Sequence, residues 1–181
     1  NIEEMIRFLV GRYADRPDWQ GRRARAPVEY PDVGLYHPDL PGHHLVTEAD
    51  AVPGPAEPVA TIGLLMLRSY ILSGDCAHYD AVIRAFEAKG IRVLPAFAGG
   101  LDGRPAIEAY HMGQVDALVS LTGFSLIGGP AYNDSDAAVA LLSRLDVPYV
   151  AAQPLEFQTL GQWAASEQGL GPIETTMLVA L

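Results

Sequence analysis

The sequence predicts a three-layer α/β domain of Rossmann-like or flavodoxin-like build, preceded by an N-terminal helix and a proline-rich arm. Two observations carry this. Short, nearly unbroken apolar runs recur at residues 59–67, 91–97, 117–121 and 147–152, as expected of parallel strands buried on both faces. Between them lie apolar stripes at helical spacing, Tyr79, Val82, Ile83 and Phe86, then Ala138, Leu141, Leu142 and Leu145. Strand and helix alternating at these intervals mean right-handed βαβ units and a parallel sheet.

The elements follow in order. Ile2, Met5, Ile6, Leu9, Val10 and Tyr13 form one helical face, with Asn1 as cap and Glu3 and Glu4 in the first turn. A full apolar stripe must pack on something. Residues 14–58 hold eight of the fourteen prolines and little periodicity, which reads as an extended arm. Arg16, Arg22, Arg23 and Arg25 make it locally basic, either as a solvated linker or as a docking patch for an acidic partner. The expected domains are therefore 1–58, helix and arm, and 59–181, the parallel α/β domain. The helix after the first strand ends at Gly90, a C′ glycine. Pro105 opens a short helix holding Ile107 and Tyr110. Asp134 or Ser135 caps the helix before 147–152, and Pro148 is tolerable near a strand start. Thr159 with Gln162 makes a capping box. The last segment reads two ways: Pro172 at a first helical position favours helix, whereas Thr175, Met177, Val179 and Leu181 alternate like a strand.

Bulk properties exclude several classes. A chain of 181 residues with 49% hydrophobic content suits one globular domain with an appendage. A net charge of −10 repels phosphate backbones, so nucleic acid is not an expected partner. No run reaches the ~20 apolar residues of a membrane span, and no charged and apolar leader opens the chain. The lone Cys76 fits a reducing compartment, and a small buried side chain near a helix start. The expected location is cytoplasmic. An opening at Asn1 and an apolar end suggest a piece of something larger.

If the sheet is parallel, four loops meet at its carboxyl edge, where open α/β sheets bind ligands. They are Arg68-Ser69-Tyr70 with Gly74-Asp75 and His78; Ala98-Gly99-Gly100-Leu101-Asp102; the loop 122–133; and Gln153-Pro154-Leu155-Glu156-Phe157-Gln158. In the third, Gly123 and Gly128 have P-loop spacing, but Gly129-Pro130 stand where Lys and Ser/Thr belong, and the chain's only lysine is Lys89. Gly123-Phe124-Ser125-Leu126-Ile127 lacks the closing glycine of a nucleophile elbow. This is a ligand loop without a nucleotide or nucleophile signature. Arg68, directly after an apolar strand, suits bidentate pairing with a carboxylate; its alternative is an ion pair to Asp75 or Asp102. His78 suits a proton relay or plain exposure in a first turn. Glu156 suits a base, a metal ligand or a helix-start charge. Phe124 and Phe157 suit the wall of a flat ligand or core packing. In the arm, His37, Asp39, His43 and His44 form either a divalent-metal cluster or a rigid turn that uses its histidines for packing and hydrogen bonds.

The motif set resembles a known family. Gly34-Leu35-Tyr36-His37-Pro38, then Gly63-Leu64-Leu65-Met66-Leu67-Arg68-Ser69-Tyr70 with Gly74-Asp75 and His78-Tyr79, are similar to the large porphyrin-binding subunit of magnesium chelatase. So are Pro95-Ala96-Phe97-Ala98-Gly99-Gly100-Leu101-Asp102, Leu145-Asp146-Val147-Pro148-Tyr149, Phe157-Gln158-Thr159 and Trp163. The most specific match is Val119-Ser120-Leu121-Thr122-Gly123-Phe124-Ser125-Leu126-Ile127-Gly128-Gly129-Pro130-Ala131. The related cobaltochelatase large subunit shares the arm motif and the Arg-Ser strand end, with a less similar loop.

The resemblance implies a fragment of a much longer subunit, one that inserts Mg²⁺ into protoporphyrin IX on the way to chlorophyll or bacteriochlorophyll. It implies two smaller partner subunits, one an AAA+ ATPase, so ATP lies on a partner and not on this chain. Chromatophore or plastid association would follow. Side-chain chemistry then assigns Arg68 to a propionate, Phe124 to the wall, and His78 or Glu156 to pyrrole deprotonation. Ser69, Thr122, Gly123, Ser125 and Gln153 complete the expected substrate-binding set. No resident metal site is expected. The alternatives are a cobaltochelatase fragment, or a non-catalytic module binding a small anionic ligand.

Overall fold

A computed structural model of the chain describes residues 1–15, 18, 23–123, 125–129, 132–153, 155 and 157–180. They fall into two compact units, Asn1–Pro31 and Asp32–Leu181.

The first unit holds α1 (Ile2–Tyr13), with an Arg7–Glu3 pair at 2.6 Å across its first turns. Asn1 occupies the cap position but makes no cap bond. Its side chain instead pairs with both backbone groups of Val28, at 2.9 and 2.8 Å. An amide carries a donor and an acceptor side by side, so it matches a free peptide edge better than a helix end. The expected cap is therefore a clasp. No residue of α1 is buried; Ile2, Met5, Ile6 and Leu9 leave their stripe at the surface. Arg16 and Arg22 of the basic arm lie outside the described residues.

The second unit begins inside the expected arm. Residues 32–58 supply β1 (Val33–Tyr36), β2 (Leu45–Val46) and a 3-10 turn, Ala49–Ala51. Leu35 and Tyr36 are buried, which is why this four-residue run joins the sheet rather than staying extended. The parallel domain expected from residue 59 thus starts its compact unit at Asp32. There follow β3 (Ala60–Leu67), α2 (Arg68–Ser73), α3 (Ala77–Glu87), β4 (Ile91–Ala98), α4 (Arg104–Tyr110), β5 (Ala117–Ser120), a short pair β6 (Gly128–Gly129) and β7 (Tyr132–Asn133), α5 (Ser135–Leu145), β8 (Tyr149–Ala151), α6 (Leu160–Ala165) and α7 (Pro172–Ala180). Asp134, not Ser135, caps α5, accepting from Ala137 N–H at 2.9 Å. The Thr159–Gln162 capping box forms in both directions. The ambiguous last segment is helix, begun by Pro172.

The main sheet runs β2-β1-β4-β3-β5-β8. Its last four strands are parallel, and β1 and β2 add an antiparallel edge beside β4. The sheet expected as wholly parallel is therefore mixed at one edge. Along β3, Leu64 and Met66 face α2 and α3 with Tyr79, Ile83 and Phe97, while Leu65 faces α4 and α5 with Ile107, Leu118, Leu141 and Leu145. Both faces are covered, which gives the three layers and explains the unbroken apolar runs.

The parallel order places the switch point between β3 and β5. From β3 the chain crosses one way to β4; from β4 it returns past β3 to β5. Crevices form outside the carboxyl ends of such strands.

Candidate functional site

A crevice of about 310 Å³, open mouth included, opens at that switch point. Leu65, Met66 and Leu67 form one side, the loop from Ala98 to Gly103 a second, and Thr122, Ser125 and Leu126 a third. Register explains the convergence. Leu67 pairs with Ala98, so β3 and β4 end level, and Ser120 pairs with Leu65, so β5 ends two residues short and its loop turns in beside them.

Backbone bonds zip the two glycine loops together. Gly103 N–H donates to Leu126 O at 2.9 Å, Gly128 N–H donates to Leu101 O at 3.1 Å, and Asp102 bridges Ile127. Asp102 also binds Arg104, accepting from its backbone N–H at 2.9 Å and its Nε at 2.9–3.0 Å. The guanidinium holds the Asp102 carboxyl below the usual carboxylate range. The wall is thus built with its charge already matched.

Arg68 opens α2 at the end of β3 and lies 3.7 Å from Asp32, not beside Asp75 or Asp102 as the sequence alternatives had it. Asp102 is taken by Arg104, and Asp32 stands just before β1, two strands across. Ser69 is exposed on α2. Thr122 lines the crevice, its hydroxyl 3.1 Å from Ser120 Oγ. Gly123 turns with a φ of 70°, in the left-handed region that favours glycine. Ser125 Oγ is buried with no hydrogen-bond partner among the described residues. These four loop and strand-end positions, with Arg68, share one edge of the sheet.

His78 and Gln153 do not line the crevice. His78 is exposed in the first turn of α3, its ring 3.9 Å from Tyr79 and 5.1 Å from Tyr70. Gln153 is exposed beyond β8. Phe124 and Glu156 lie outside the described residues. Behind His78, the buried Tyr79 hydroxyl accepts the Leu67 N–H at 3.1 Å and so fixes the strand end; burial pushes its pKa up to about 12. Asp32 and Gly103 were absent from the expected site. The signal for Gly103 was present, since Asp102-Gly103 precedes a helix start marked by Pro105; Asp32 had none, being remote in sequence.

The arm histidines separate. His37 is fully buried; its Nδ1 accepts from Asp39 N–H at 3.2 Å and its Nε2 meets Glu87 Oε1 at 3.0 Å. Arg84 completes a ring with Glu87 at 2.9 Å and with Asp39. His43 and His44 are exposed. Among the described residues no group of three or more His, Cys, Asp or Glu is placed to hold a metal ion. None of their helices is long and apolar enough to cross a membrane.

The whole chain, residues 1–181, matches the family described as CobN/Magnesium Chelatase. It is 70% identical over 181 residues to the magnesium-chelatase H subunit of Rhodobacter capsulatus and 65% identical over 185 residues to that of Cereibacter sphaeroides; each alignment covers all of this chain and 15% of the relative. The chain thus spans about 15% of the length of these curated relatives. Among solved structures, the catalytic subunit of cobaltochelatase from Mycobacterium tuberculosis superposes with a TM-score of 0.65 at 26% identity, covering 96% of this chain and 14% of that one.

Proposed function

The chain belongs to the CobN/magnesium chelatase family, and from that premise we propose that it is part of the porphyrin-binding subunit of a magnesium chelatase. The carrying observation is 70% identity across all 181 residues to a magnesium-chelatase subunit, against 26% to a cobaltochelatase subunit. In this reading the complex inserts Mg²⁺ into protoporphyrin IX, in chlorophyll or bacteriochlorophyll formation. Two smaller partners, one of them an AAA+ ATPase, supply the ATP-driven work. The absence of lysine from the glycine loops agrees with triphosphate chemistry placed on a partner.

The insertion reaction sets three demands: the macrocycle must be held, its two pyrrole protons removed, and water stripped from Mg²⁺, which dehydrates reluctantly. The crevice is small and open at its mouth, well short of an enclosed ligand-sized pocket. It suits one edge of a tetrapyrrole or a propionate arm, with the ring extending toward the remainder of the full-length protein. Arg68 is the cation for that propionate. Arg68 already meets one carboxylate, the exposed Asp32, at 3.7 Å. Ser69, Thr122, Gly123 and Ser125 supply polar groups beside it, and Phe124 supplies a wall. Gln153 stands farther along the same edge, and His78 or Glu156 serves as the base for the pyrrole protons.

The test uses the full-length subunit, titrated with a soluble porphyrin while Soret absorbance and tryptophan fluorescence are followed. Arg68→Ala is expected to weaken binding about tenfold, the worth of one charge-assisted contact. An unchanged Kd removes Arg68 from the site. Failure of the unsubstituted protein to bind any porphyrin overturns the functional reading itself.

A further inference from the structure

We infer that Tyr79 is a positioning residue for Arg68, and that through Arg68 it sets the preference of the crevice for a carboxylate arm. The inference rests on the reading of Arg68 as the cation for a propionate. Tyr79 is fully buried on α3 and does not line the crevice. It reaches the site through the backbone. Leu65 O accepts the Leu121 N–H at 2.8 Å, so at Leu65 the polar groups of β3 point toward β5. Backbone direction alternates along a strand, so the Leu67 N–H points the same way. β5 ends at Ser120, opposite Leu65, and does not reach Leu67. The Tyr79 hydroxyl accepts that N–H instead, at 3.1 Å. A buried donor left unmet is costly, so the strand end is held where the hydroxyl stands.

Arg68 is the next residue and the first of α2. Two residues on, the Tyr70 ring meets the Tyr79 ring edge to face, with centroids 6.0 Å apart and planes at 89°. One side chain thus grips the backbone before Arg68 and the helical turn after it. The Tyr70 carbonyl is held as well, accepting from Asp75 N–H at 3.0 Å and from Cys76 Sγ at 3.6 Å. A guanidinium selects a carboxylate only when its fork of donors is aimed at it. That aim begins at the backbone of Arg68, which Leu67 and Tyr70 fix from either side. Leu67 also lines the crevice, so the same hydroxyl sets the wall and the cation together.

The experiment uses the full-length subunit, with deuteroporphyrin IX and its diamide, whose propionate arms are uncharged, as probes. The unsubstituted protein is expected to bind the diacid about tenfold more tightly than the diamide. Arg68→Ala should abolish that ratio. Tyr79→Phe keeps the ring and loses the hydroxyl; the ratio should fall to about threefold or less, with the diamide Kd unchanged. For the diacid, the double variant should bind as Arg68→Ala does alone, because the two residues act as a unit. A merely structural tyrosine would lower the urea midpoint and leave the ratio where it was; that result, or additive losses in the double variant, overturns the inference while the propionate reading stands. A ratio near one in the unsubstituted protein, or one untouched by Arg68→Ala, overturns the propionate reading and the inference with it. Hydrogen exchange at the Leu67 amide of the unsubstituted subunit gives a measurement that does not depend on how the variant folds. It should be about tenfold or more slower than in an unstructured peptide, and free exchange there also overturns the inference.

Discussion

Gly103 lies so close to Leu65 that a Cβ on the glycine would stand 2.8 Å from Leu65 Cδ2, and 3.2 Å from the backbone oxygen of Leu126. The two contacts join the loop after β4 to the strand end of β3 and to the loop after β5. They make one rigid corner of three chain segments.

Gly103→Ala tests that corner. The glycine has a φ of −77°, a conformation alanine accepts, so any cost comes from crowding. The Leu65 methyl can rotate aside, but Leu126 O is held by the Gly103 N–H. A loss of about 1–3 kcal/mol is expected, read as a lower midpoint in urea with an unchanged slope. A midpoint equal to that of the parent chain means that the loops are not locked.

The corner also marks where reading the sequence stops. β3, β4, β5 and β8 were legible because burial on both faces demands continuous apolar runs, such as 59–67. β1 was hidden because Val33–Tyr36 sits among prolines and is too short to show a period. α2 was hidden because Arg68 begins a helix with no break after β3. The candidate loops were legible as strand ends, since that follows from alternation alone. Their partners were not: which loop zips to which depends on strand order, and the Arg68–Asp32 contact joins positions with no local pattern in common. The role of the His37 motif was left open between metal and packing, because spacing cannot say where each ring nitrogen points.

His37→Ala resolves that last point. Both ring nitrogens are occupied, Nδ1 by the Asp39 N–H and Nε2 by Glu87, so no lone pair is left for a metal. Removing the ring leaves a cavity and an unmet donor on Asp39, at a cost of about 2–4 kcal/mol. Treating the parent chain with a chelator should leave its thermal midpoint unmoved. A midpoint that falls on chelation contradicts the geometry.

His111 makes folding sensitive to acid. It is fully buried beneath Gly63, and its Nε2 donates to Leu94 O at 3.0 Å. Nδ1 has no partner among the described residues. Burial pulls its pKa from 6.5 down to about 4. Between those values the unfolded chain holds more protons than the folded one, so stability falls as pH falls. It is fully present above about 6.5 and lost toward 4, by an amount on the order of 3 kcal/mol. Denaturation curves across that window are expected to show the slope in the parent chain and a clearly shallower one in His111→Leu. Identical slopes would assign the effect to other groups.

Glu174 fastens α7 to the loop beyond β8. One carboxylate oxygen accepts two backbone N–H groups, from Phe157 at 2.8 Å and Gln158 at 3.0 Å. The other oxygen is buried with no partner among the described residues. Glu174→Ala strands both donors, at about 2–3 kcal/mol of local stability. The Phe157 and Gln158 amides should then exchange roughly 30- to 150-fold faster. Glu174→Gln keeps a carbonyl acceptor in reach of both donors, so protection should largely return. If glutamine loosens the loop as much as alanine does, the acceptor geometry is not what holds it, and the charge of the carboxylate is.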